Sequence, residues 1–178
     1  MSQSTTIYSI SKRLFEELKK SENRREIEIH KKAKKYYTFQ NSFLGIEFVI
    51  TKNKSETDKK ILSQIFNPSE YLGNFDFENS DLDEMMDFME SGNYFPYLNH
   101  EKLVVISKLL SEIEELEIKD KYDADELSEN DIYPSKWAYE NHNGQSCNLN
   151  HLIEDFSELK KIIVEASEEE NYLLICTC

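Results

Sequence analysis

The sequence predicts a helix-rich α+β fold with a small sheet that includes the C-terminal strand, and three observations carry that reading. Leu152, Phe156, Leu159, Ile163 and Ala166 recur at steps of four, three, four and three, which places them on one face of an amphipathic helix. Tyr172-Leu173-Leu174-Ile175-Cys176 follows, nearly apolar on both faces, as expected of a central strand covered from both sides. Helical segments outnumber strands, and their order lacks the regular alternation of a doubly wound sheet. At 178 residues, with 39% apolar and 12% aromatic side chains, the chain carries enough packing material for one core. No internal repeat or Pro- or Gly-rich linker divides it, so residues 1–178 read as a single domain.

Taken in order, Thr5 to Ser9 is short, β-branched and aromatic, which predicts an opening strand. Ser11 is placed to cap a helix presenting Leu14, Phe15 and Leu18. Beyond a basic stretch from Arg24 to Lys35, the dense apolar run from Tyr36 to Ile50 reads as a mostly buried helix, with Gly45 and the β-branched end admitting a strand. Thr57 is the expected cap of a helix bearing Ile61, Leu62, Ile65 and Phe66, which Asn67-Pro68 ends. A short helix starts near Ser80 or Asp81. Its Leu82, Met85, Met86 and Met89 fall at i, i+3, i+4 and i+7 and are expected in the core, with Gly92 as the stop. Tyr94 to Leu98 reads as extended, and Asn99 caps a longer helix with Leu103, Ile106, Leu110 and Ile113 on one face. Asp123 opens another short helix that ends before Ile132-Tyr133-Pro134, and Asn141 to Asn150 reads as a polar loop containing Gly144.

Charge is unevenly spread along the chain. The net charge is −14; residues 1–60 carry 14 basic and 8 acidic side chains, or +6, and residues 61–178 carry 7 and 27, or −20. No basic residue lies between Lys60 and Lys102, while Asp76, Glu78, Asp81, Asp83, Glu84, Asp87 and Glu90 crowd that interval. Such a field repels nucleic acid and favours a basic protein partner. The N-terminal residues hold no apolar run before a cleavage-like site, and no stretch approaches the roughly 20 apolar residues of a membrane span. A cytoplasmic protein that binds neither membrane nor nucleic acid is therefore expected. Cys147, Cys176 and Cys178 are too few and too uneven for a disulfide framework and are expected as free thiols.

From Tyr94 onward the chain resembles a known family. The likeness runs through the helix of Leu103 to Leu110, Tyr122-Asp123-Ala124 with Leu127, and Ile132-Tyr133-Pro134 with Trp137. It ends on the helix of Phe156 and Leu159 and the terminal strand, and extends more loosely to the opening strand and helix. In these elements the sequence resembles the YfbM-like family of small bacterial proteins, a domain of unknown function (1877). Tyr36, Tyr37 and Phe39 stand where family members carry a Trp-containing helix, and the acidic stretch from Asp76 to Glu90 looks like an elaboration. The resemblance implies a compact α+β fold and brings no catalytic residues with it.

Sequence motifs for chemistry are weak. His142, Cys147 and His151 form H-x4-C-x3-H, all zinc-binding types, but no CxxC or HExxH supplies a fourth ligand, so no metal is expected. Asp76, Glu78, Ser80 and Asp87 match four positions of a calcium loop, but Asp81 stands where that loop requires glycine. No GxSxG, GxGxxG or P-loop occurs, so no nucleophile elbow or common nucleotide cofactor is indicated. The sequence therefore leans towards a non-enzymatic acidic protein that engages or neutralises a basic partner, as a toxin-immunity protein would. Asp83, Glu84, Asp87 and Glu90 are its candidate contacts. The competing reading is an enzyme or small-ligand binder with a pocket at Tyr133, Trp137 and His142, against which stands the simpler view of the aromatic corner as a turn packed on the core.

Overall fold

β1 (Ser4–Ile10) and β5 (Tyr172–Thr177) lie side by side at the middle of a five-stranded sheet of order β2-β1-β5-β4-β3. The remaining strands are β2 (Lys35–Gln40), β3 (Glu70–Leu72) and β4 (Phe95–Leu98), and every pairing is antiparallel. The computed structural model describes residues 3–77, 79–139 and 147–177. Most of the expected polar loop from Asn141, His142 and Gly144 included, lies outside the described residues.

Side-chain alternation divides the core between the two faces of this sheet. Ile7, Phe39, Leu173 and Ile175 point into the larger cluster. It is built with α3 (Phe43–Thr51), α4 (Glu56–Ser63), α6 (His100–Ser111), α7 (Glu115–Lys121), α8 (Ala124–Glu129) and α9 (Leu149–Glu168). Ile10 and Leu174 point the other way, onto Leu14, Phe15 and Leu18 of α1 (Lys12–Lys20) and Ile29 of α2 (Ile29–Lys32). There Phe15 stacks on Tyr172 with ring centroids 3.8 Å apart. The apolar character of β5 on both faces follows from this arrangement, and Leu173, Leu174 and Ile175 are all buried.

Local capping chemistry sets most helix starts. Ser11, Asn99 and Asp123 each accept a backbone N–H from the first turn that follows, as the sequence indicates. α4 begins two residues earlier than expected: Ser55, not Thr57, takes the Asp58 N–H at 3.1 Å. α9 likewise starts at Leu149, inside the expected loop, because Asn148 accepts the His151 N–H at 3.0 Å. The run from Tyr36 to Ile50 is not one helix. Asn41 adopts a left-handed φ of 60°, which ends β2 and turns the chain into α3. Strand and helix thus divide the apolar run between them at the polar break Gln40-Asn41-Ser42.

Trp137 is buried, and its indole N–H donates to the Ile132 carbonyl at 2.9 Å. The six-membered ring lies on Gly45 of α3, where an added Cβ would sit 2.2 Å from Cη2. Glycine is there for close approach, although it weakens the helix. In Gly45→Ala the steric cost of about 1–3 kcal/mol for overpacking exceeds the gain of about 1 kcal/mol in helix propensity. Urea unfolding of this variant is expected at a lower midpoint, with altered emission from the single tryptophan in the native baseline.

Candidate functional site

The acidic segment forms α5 (Leu82–Glu90), and the sequence explains its start. Asp81 accepts the Glu84 N–H at 2.9 Å while Glu84 accepts the Asp81 N–H at 3.2 Å, a reciprocal capping box. Gly92, with φ of 73°, follows its end. The face buried is not the expected one. Of the four residues assigned to the core, Leu82, Met86 and Met89 are 70%, 51% and 50% exposed, and Met85 is half-buried. The helix rests instead on Phe88, which stacks on Phe75 at 4.6 Å and meets Tyr71, Phe77 and Tyr94 edge-on. Phe88 stands about 100° around the helix from Met89, so seating the aromatic ring turns Met86 and Met89 outward. Gly73, at φ of 135°, admits that ring: a Cβ there would lie 2.4 Å from Phe88 Cζ.

Two contiguous stripes are left on the open side of α5. One is Leu82, Met86 and Met89; the other is Asp83, Asp87 and Glu90, while Glu84 lies further round and is engaged in the cap. All four candidate carboxylates are exposed. The first lysine beyond this region, Lys102, is held by Glu70 at 3.3 Å. Beside the apolar stripe lies a groove of about 750 Å³, lined by Met86 and Met89 of α5 together with Phe43, Leu44 and Phe66. Pro96 and Ile175 also line it, and Glu90 is the one charged side chain in its wall among the described residues. The groove opens where β4 parts from β5: the two strands pair only at Tyr97–Leu174 and Leu98–Leu173, and Pro96, next along, has no N–H to donate.

The aromatic corner has other duties. Tyr133 accepts the Gln3 backbone N–H at 3.1 Å, Trp137 fills the core, and neither lines the groove beside α5. His142 lies outside the described residues. Of the remaining H-x4-C-x3-H members, Cys147 is buried and donates its backbone N–H to His151 Nδ1 at 3.0 Å. His151 Nε2 faces Asp155 Oδ2 at 3.3 Å.

Asp155 is the polar centre that sequence reasoning missed. It is 2% exposed, accepts the Tyr37 hydroxyl at 2.6 Å and the Ser42 hydroxyl at very short range, and so joins α9 to β2 and to the start of α3. The signal was a carboxylate between Leu152 and Phe156 on the core stripe of a helix, where a charge requires partners. Serine, histidine and aspartate together suggest a catalytic relay, but in a relay histidine stands between the other two. Here Asp155 is in the middle and Ser42 is fully buried, so the cluster is a structural clamp. Burial, followed by the bond to Asp155, pushes the Tyr37 phenol up, favouring its neutral form in the folded state. That contribution is complete below the unfolded tyrosine value of about 10 and is lost as pH rises beyond it. Urea titrations between neutral and strongly alkaline pH are expected to show stability falling in the alkaline range. The fall should be shallower in Tyr37→Phe, the remainder belonging in part to Tyr122, which burial pushes up to about 12.

The chain matches a family model described as a domain of unknown function, DUF1877, over residues 1–176. The crystal structure of a protein of unknown function, YfbM from Escherichia coli, shares its fold, with a TM-score of 0.64 and 14% identity over 100% of both chains. No curated protein matches the chain. With the family match extending from the first residue almost to the last, the chain belongs to the DUF1877 family.

Proposed function

We propose that this chain is a non-enzymatic binding protein that engages a basic protein partner through α5, in the manner of an immunity protein that neutralises a toxin. The observation that carries the reading is the adjacency of an exposed carboxylate row, Asp83, Asp87 and Glu90, to an exposed apolar stripe on one short helix. The interval from Lys60 to Lys102 supplies these carboxylates no basic residue, so they repel one another, and a cationic partner relieves that repulsion. Large exposed apolar side chains grouped together mark contact surfaces more often than isolated ones do. A nucleic acid or an anionic bilayer would meet the wrong sign of charge.

The test begins with a partner recovered from the native cell at low salt and released at high salt, then purified. Replacing Asp83, Glu84, Asp87 and Glu90 by Asn and Gln is expected to leave the fold intact, since the amide side chain introduced by Glu84→Gln can still close the capping box. Association with that partner should slow by about tenfold or more at low salt, with a flatter dependence on ionic strength. An association rate equal to that of the unaltered chain at both salt levels would reject α5 as the recognition surface.

A further inference from the structure

We infer that the groove beside α5 receives an amphipathic α-helical segment of the basic partner. Apolar side chains of that segment seat against Met86, Met89, Phe66 and Pro96, while its lysines or arginines run along Asp83, Asp87 and Glu90. The inference rests on the basic-partner reading and gives that partner a shape.

Four observations select this occupant. Leu82, Met86 and Met89 are spaced i, i+4 and i+7, so they form a ridge along α5, and a ridge of that kind packs into the furrow between side-chain rows of a second helix. Methionine walls suit such a guest, because the unbranched thioether adapts to whichever apolar residues arrive. Charge decides between the surfaces that could cover an apolar stripe. Among the described residues the groove wall carries only the negative Glu90, and the row at its lip is acidic, so an anionic membrane is disfavoured and a helix with a basic flank is favoured. A second copy of this chain would bring carboxylates against carboxylates. α5 has nine residues, a length of about 13 Å at 1.5 Å per residue, which matches two to three turns of a guest helix.

The experiment uses the full chain and two labelled probes followed by fluorescence anisotropy: a leucine–lysine peptide of about 14 residues with leucines at helical spacing, and an oligolysine of equal charge. The leucine–lysine helix is expected to bind, and Met86→Ser with Met89→Ser should weaken it by about tenfold, the factor that 1.4 kcal/mol represents. Oligolysine should bind more weakly and be indifferent to those two changes. Methionine-methyl NMR provides a readout independent of the variants: the Met86 and Met89 signals should shift on addition of the leucine–lysine peptide and hardly move with oligolysine. If the serine substitutions leave binding unchanged, the methyl signals do not move and oligolysine binds equally well, the groove is not the seat; the basic-partner reading then stands alone. If neither probe binds at low salt, both readings fail.

Discussion

Two-sided burial of β5 is the constraint to which the other elements answer. A strand whose residues are apolar in both directions needs cover on each face and a hydrogen-bonding neighbour along each edge. β1 lies along one edge throughout, and β4 meets the other at Leu173 and Leu174. α9 and its companions cover one face, and α1 with α2 covers the other. The unequal neighbours explain the groove. β1 pairs with β5 from Tyr172 to Thr177, whereas the β4 ladder stops within two residues at a proline, and the sheet gapes there. α5 projects over that gap from the β3–β4 connection.

Asp155 solves a different problem, that of fixing a helix to a sheet at a defined position. Apolar contact is nondirectional, and a helix 20 residues long can slide along an apolar face at little cost. A buried carboxylate that takes hydroxyl donors from β2 and from the turn before α3 forbids such sliding, because a displaced α9 would carry an unsatisfied charge. Ser42 shows the priority given to this bond. It occupies the N-cap position of α3, yet its side chain makes no cap and donates to Asp155 instead.

What the sequence made legible follows from how local each signal is. Capping residues beside a regular stripe, as at Ser11, Asn99 and Asp123, act within one turn of chain and are visible without tertiary knowledge. The stripe of α9 was legible for the same reason, while the carboxylate set within it was passed over because its donors lie 113 and 118 residues away. In α5 periodicity located the helix but not its inner face. Phe88 and the methionines occupy neighbouring sectors, and what chose between them was an aromatic cluster assembled from Tyr71, Phe75, Phe77 and Tyr94. The joined β2 and α3 run reads as one helix because apolar residues continue on both sides of Gln40-Asn41-Ser42, the short polar break at which the left-handed Asn41 turns the chain. Of the candidate surface, its charge was readable and its exposed methionine ridge was not.

The central position of β5 also governs the order in which the molecule can be assembled during synthesis. β1 and β2 emerge first and can form a hairpin-like pair, and β3 with β4 can form another, but only the strand at residues 172–177 joins the two. Between the synthesis of Leu98 and that of Tyr172 a nascent chain therefore carries two unsealed half-sheets, with Ile7, Phe39 and Leu98 awaiting cover. Closure must span the 172 positions between Thr5 and its partner Thr177, a non-local step that slows folding. Translation arrested before residue 172 leaves a product whose two half-sheets lack the strand that joins them.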